Sequence, residues 1–222
     1  METVAVRVPA PAALRPPLIT VAGLRRALGD CLLAASFLIA MLPAGRELTF
    51  SLAGAANLVW LVGAAVMAVM SFARFAPRST TVNMGTIAAS GGMLLLPWFM
   101  RPTHASTGAL ATTGLIFELF GVSLTQVSRI YMGRSFGVLP ANRGIVSKGP
   151  FRWVRHPIYF GWLILSIGYA MSFANERNVL LIAFTLPFMV WRISQEEKHL
   201  TADPEYRRYM DRVRYRLWPG IA

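Results

Sequence analysis

Between Lys148 and Gly161 the chain reads Lys-Gly-Pro-Phe-Arg-Trp-Val-Arg-His-Pro-Ile-Tyr-Phe-Gly. Basic side chains, aromatic rings, a histidine and a tyrosine are gathered there, immediately before an apolar run. A loop that only marks one side of a bilayer needs Arg or Lys. It does not need His156, Pro157, Tyr159 and Gly161 in that order at the mouth of a helix. Such a cluster suits a site that handles a charged small molecule at a membrane face. A second cluster lies at Arg192-Ile-Ser-Gln-Glu-Glu-Lys-His-Leu200. Arg192 and Glu196 are four residues apart and so share a helix face. Glu197, about 100° further round, points elsewhere. A guanidinium and a carboxylate on one face suit the two charges of an amino-acid headgroup, or else form an ordinary surface ion pair.

The elements that must position these residues are apolar. Of 222 residues 55% are hydrophobic and only 14% charged, against about 25% charged in a soluble domain. The apolar residues form six blocks near bilayer-crossing length, about 20 residues each. They are roughly Leu28–Pro43, Phe50–Phe72, Val82–Met100, Thr107–Val127, Ile158–Phe173 and Val179–Trp191. This predicts an all-α, polytopic membrane helix bundle with about six transmembrane helices. Residues 1–26, rich in Pro, are expected to form a flexible tail, with a short interfacial helix at Leu24–Leu28. Residues 27–128 are the N-terminal transmembrane helices, and 129–222 a core of loop, helical hairpin and C-terminal cap. No cleavable leader is expected.

The net charge of +12 argues for topology, not nucleic acid. With the N-terminus inside, 19 of the 22 Lys and Arg residues fall on inside segments, leaving Arg46, Arg101 and Arg177 outside. Basic residues concentrate on the cytoplasmic side in this way. Both termini and the 129–157 loop are therefore expected in the cytoplasm, near anionic headgroups. The short turn Asn175–Asn178 makes the last two spans an antiparallel hairpin, bringing 132–157, the hairpin mouth and the C-terminal segment to one surface. Small-residue clusters in the earlier spans serve close helix packing. Glu118, inside the fourth span, is neutralised, paired or part of a substrate pocket. Cys31 is a packing residue. His104, His156 and His199 lack metal-ligand spacing, so no metal is expected.

The runs Gly133–Phe136, Ile145–Gly161, Arg192-x-x-x-Glu-Glu-x-x-Leu200, Glu205-Tyr-Arg-Arg-Tyr209 and Val213–Pro219 resemble the isoprenylcysteine carboxyl methyltransferase and phospholipid methyltransferase superfamily. The resemblance covers about residues 130–220. It implies a membrane enzyme that moves a methyl group from S-adenosyl-L-methionine to a lipophilic or small acceptor, under a cytoplasmic C-terminal cap. The acceptor would be an isoprenylcysteine-like carboxylate, a phospholipid amine or a thiol. Carried over by position, it implies cofactor contacts from Arg143, Gly144, Ile145, Val146, Phe151, His156, Pro157, Ile158, Tyr159, Glu196 and Glu197. Glu196 would hold the cofactor's ammonium, and Arg192 would face the acceptor's reacting group; these two are the candidate catalytic residues. Phe151 stands where the family often has Tyr. The competing expectations are an NADPH-dependent membrane reductase of related layout and a non-enzymatic membrane scaffold or transporter.

Overall fold

The computed structural model describes residues 30–31, 34–35, 52–73, 75, 77–80, 83–95, 99–100, 105–137, 141–218 and 220. The expected tail at 1–26, the interfacial helix and most of the first span lie outside them. From residue 52 on, the described residues form six α-helices: α1 (Leu52–Phe72), α2 (Met84–Leu95), α3 (Gly108–Met132), α4 (Pro157–Ser172), α5 (Glu176–Leu200) and α6 (Pro204–Arg212). The strand pairing among the described residues is a two-residue antiparallel pair of β1 (Ser79–Thr80) with β2 (Ala141–Asn142) and a single bridge between Ala105 and Phe173.

Two helices, Gly108–Ser135 (α3 and the turn after it) and α5, are both long and apolar enough to cross a bilayer. At 1.5 Å per residue, α2 and α4 reach only about 18 and 24 Å, against roughly 30 Å of hydrocarbon. The outer face of α3 is greasy: Ile116, Phe120 and Ile130 are each more than half exposed. In water such a face would be costly; against lipid it is the ordinary boundary of a membrane helix.

What holds the bundle is backbone contact between α3 and α4. Gly114 and Gly121 on α3, seven apart, meet Gly168 and Gly161 on α4, also seven apart. A β-carbon on Gly121 would lie 2.6 Å from the Gly161 carbonyl oxygen, and one on Gly161 would lie 2.8 Å from that of Gly121. The second pair is equally reciprocal: 2.6 Å from Gly168 to the Gly114 oxygen and 2.9 Å from Gly114 to the Gly168 oxygen. Seven residues are two turns, so each pair repeats on one stripe of its helix. In lipid no hydrophobic effect draws helices together, and close backbone approach through small residues supplies the attraction.

The hairpin expectation holds for the chain path. Asn175 caps α5, its side-chain oxygen accepting from the Asn178 amide at 2.9 Å, while the Asn178 side chain donates to the Phe173 carbonyl. Yet the two arms do not pack mainly on each other: α4 lies on α3, and α5 on α2. The arms touch toward the end away from the turn, where Tyr159 and Trp162 pack on buried Met189 and Ile193. Pro187 sits inside α5 without ending it. Cys31, expected to pack, is exposed.

Replacing Gly121 or Gly161 by Ala should therefore force α3 and α4 apart. Overpacking of this kind costs about 1–3 kcal/mol. The expected outcome is a clear fall in the thermal unfolding midpoint in detergent for both variants. Gly91→Ala, where a β-carbon meets open space, should leave it near wild type.

Candidate functional site

The 132–157 loop is fastened before it reaches the hairpin. β2 pairs with β1, and the Arg134 guanidinium donates from Nε to the Ala73 carbonyl at 2.6 Å while lying over the Phe75 ring. Asn142 holds the loop from inside: its Oδ1 accepts from the Gly144 amide at 3.0 Å, and its Nδ2 donates to Asp203 Oδ2 at 2.6 Å. Gly144 has φ +105°, a backbone state that side-chain-bearing residues rarely adopt. That requirement explains a glycine beside Arg143.

A cleft of about 610 Å³, counting its open mouth, lies between this loop, the mouth of the hairpin and α6. Its lining includes Arg143, Gly144, Ile145, Val146, Phe151, His156 and Glu196 from the expected set. It also includes Arg155, Tyr206 and Tyr209, which the sequence reading did not place there. Pro157, Ile158, Tyr159, Arg192 and Glu197 stand behind the wall. Pro157 is the first residue of α4. Ile158 packs on two apolar clusters, one of them the Phe151–Tyr206–Tyr209–Val213 group that floors the cap.

Glu197 lies outside the cleft lining. Its carboxylate is 4% exposed and surrounded by basic side chains. Arg155 donates from Nε to Oε1 at 2.7 Å, His156 Nε2 lies 3.1 Å from the same oxygen, and Arg216 donates from Nε to Oε2 at 2.9 Å. With these three partners its carboxylate acts as a clamp, and it is not among the residues that line the cleft. Arg155 also donates from Nη1 to the Val213 and Arg214 carbonyls. The Arg155 and His156 amides donate to the Tyr215 and Arg216 carbonyls, each at 2.9 Å. The C-terminal segment is thus stitched along the loop by main chain and side chain together. In the sequence Arg155 looked like a topology charge; no local signal distinguishes it from Arg152.

Arg192 and Glu196 do share a helix face, but Tyr159 stands between them. Arg192 donates from Nε to the Tyr159 hydroxyl at 2.7 Å, and that hydroxyl donates to Glu196 Oε2 at 2.8 Å. Glu196 Oε1 has no partner among the described residues, and Glu196 is the only carboxylate lining the cleft. Arg192, 6% exposed, is buried in the bundle and is not part of the lining.

The cap is apolar beneath and neutral. Tyr206 and Tyr209 are 4% and 2% exposed. Burial pushes both phenols well above their ordinary range, and for Tyr206 the nearby Glu197 and Glu196 push the same way. Both therefore stay protonated at any working pH. The Tyr209 hydroxyl donates to the Phe151 carbonyl at 2.8 Å, tying α6 to the loop. Glu118 is half-buried in α3 with its Oε1 lacking a hydrogen-bond partner, against Gly168 and far in sequence from any lining residue.

Fold and site together define a helical protein, with two helices long and apolar enough to cross a bilayer, whose own C-terminal segment closes a polar cleft at the end of a hairpin. Residues 110–202 match the isoprenylcysteine carboxyl methyltransferase (ICMT) family. The match begins earlier than the sequence motifs, taking in most of α3, and stops before α6. Protein-S-isoprenylcysteine O-methyltransferase of Xenopus laevis is 33% identical over 96 residues, 40% of this chain and 33% of that protein. The Homo sapiens protein of the same name is 30% identical over 116 residues, 47% of this chain and 39% of that one. The chain thus spans only about a third to two fifths of the length of these relatives. A solved structure of the eukaryotic intramembrane Ras methyltransferase ICMT aligns over 89% of this chain and 97% of that chain, at 19% identity and a TM-score of 0.43.

The clamp makes a stability prediction. Removing one partner of a buried ion pair costs about 3–5 kcal/mol, because the other charge is left unpaired. Glu197→Ala should lower the unfolding midpoint strongly and expose the C-terminal segment to protease. Arg216→Ala should do so only slightly, since the Arg216 side chain is 46% exposed and Arg155 and His156 remain.

Proposed function

We propose that this chain is an integral membrane methyltransferase that binds S-adenosyl-L-methionine in the cleft beneath α6 and methylates a lipophilic or small acceptor. The observation that carries the reading is the position of Glu196. It is the single carboxylate of the lining, with one oxygen occupied by Tyr159 and the other without a partner among the described residues. The match of residues 110–202 to the ICMT family supports the same chemistry.

The residues fit such a donor. The Glu196 carboxylate would take the ammonium of the donor's amino-acid end by a charge-assisted hydrogen bond. The 143–146 main chain and the Phe151, Tyr206 and Tyr209 rings would enclose its uncharged parts. When bound, the donor supplies an electrophilic methyl on a sulfonium. The protein's part is then to position the two reactants and exclude water, the terms that dominate a displacement of this kind. Neutral phenols and an apolar floor serve exclusion without adding a competing nucleophile.

The acceptor reading follows the names of the relatives: an isoprenylated cysteine carboxyl group, entering from the bilayer. Phospholipid amines and thiols belong to the same proposal. A carboxylate or thiolate acceptor needs no strong general base; an amine would have to lose a proton first. The charge asymmetry of the loops supports a cleft on the cytoplasmic face, with the soluble donor arriving from there.

Calorimetric titration of detergent-purified protein with S-adenosylmethionine should show saturable binding. Glu196→Gln should weaken it by about tenfold or more, the loss of roughly 1.4 kcal/mol. Absence of binding, or binding indifferent to Glu196→Gln, would overturn the proposal. NADPH, titrated in parallel, should not saturate. With methyl-labelled donor and membrane extract, label should pass to protein or lipid.

A further inference from the structure

Arg192 is held from two sides, and the second side lies outside the segment that matches the family. Its Nη1 donates to the Ser90 hydroxyl on α2. Ser90 is 4% exposed, and its hydroxyl hydrogen is already committed to the Thr86 carbonyl at 2.6 Å. A serine hydroxyl has one hydrogen and two lone pairs, so Ser90 can meet Arg192 only as an acceptor. The same count applies at Tyr159, whose one hydrogen goes to Glu196 and whose lone pair takes the Arg192 Nε–H. The hydrogens that link Ser90, Arg192, Tyr159 and Glu196 are therefore assigned. The chain has one direction, with the guanidinium donating both ways.

The anchor is itself fixed. Asn83 and Thr86 cap the start of α2 reciprocally: the Thr86 amide donates to Asn83 Oδ1 at 2.8 Å, and the Asn83 amide to Thr86 Oγ1 at 3.0 Å. One turn later Ser90 bonds back to Thr86, and α2 packs on α5. Ser90 thus meets Arg192 from a rigid helix.

We propose that Ser90 is a positioning residue for the donor site, acting through Arg192 and Tyr159 on Glu196. A buried guanidinium that loses an acceptor must find another. Glu196, one turn along the same helix, is a charged acceptor within reach. Ser90 and Tyr159 keep the guanidinium occupied, so the free oxygen of Glu196 stays turned to the cleft with its charge available. Without Ser90, Arg192 turns to Glu196 and competes with the donor's ammonium. The inference rests on the donor reading above and adds to it a residue on α2.

The test is calorimetric titration of the purified full chain with S-adenosylmethionine, with the unfolding midpoint measured on each sample. Ser90→Ala should weaken binding about three- to tenfold, and Ser90→Thr, which keeps the acceptor, should stay within about twofold of wild type. In a Tyr159→Phe background, where Arg192 has already lost an acceptor and turned to Glu196, Ser90→Ala should have no further effect on affinity. A merely structural Ser90 would lower the midpoint and leave the affinity of the folded protein, and its dependence on Tyr159, unchanged; that result overturns the proposal. Should Ser90→Ala not fold, Ser90→Cys, similar in volume and a weak acceptor, is expected to show the same loss. Wild-type binding with affinity unchanged in the Ser90 variants refutes the positioning role alone. No binding by wild type refutes the donor reading and this inference with it.

Discussion

One buried carboxylate holds the site together. Glu197 sits near the end of α5, where Arg155 and His156 from the loop and Arg216 from the C-terminal segment all reach it. These three parts come from widely separated stretches of chain, and few other bonds join all of them. Taking so many charged groups out of water is costly unless each finds its counterpart in good geometry. Here Arg155 also donates from Nη1 to the Val213 and Arg214 carbonyls. The arrangement is therefore exacting: it forms only when loop, hairpin and C-terminal segment are all in register. That gives the cleft a defined floor although much of its wall is loop.

The division between Glu196 and Glu197 follows from helix geometry. Adjacent residues on a helix point about 100° apart, so one carboxylate faces the cleft and the other the clamp. The sequence already separated them in direction. It did not show which task each would have, because that depends on where residues 213–216 return. Arg155 and Arg152 are equivalent as charges in a basic loop; only the fold makes one the partner of Glu197. The same holds for Tyr206 and Tyr209. Their spacing puts them near one helix face, but a face is no more than a face until something covers it.

The hairpin was legible because Asn175–Asn178 is too short to allow anything but reversal. The loop residues 143–146, Phe151, His156 and Glu196 were legible because they resemble a known pattern, and the fold does gather them on one cleft. Arg192 was half legible: its face was right, its exposure was not. Seen in isolation, an arginine and a glutamate four apart look like a surface pair. The intervening Tyr159 and the facing Ser90 are long-range partners that periodicity cannot reveal. The α3–α4 seam was missed for a related reason. Small-residue clusters drew attention to the earlier spans, whereas the contact that matters is made by four single glycines at seven-residue spacing.

Residues 213–218 have a bearing on how the protein comes to be made. They follow both arms of the hairpin in the chain, yet they supply the main-chain partners of Arg155 and His156 and the third side-chain partner of Glu197. During synthesis the two arms can enter the bilayer and the loop can meet β1 while these groups still lack their final partners. The cleft acquires its floor only when the last segment emerges and folds back. Completion of the site thus waits on translation of residues 213–218, the last of its parts to be made.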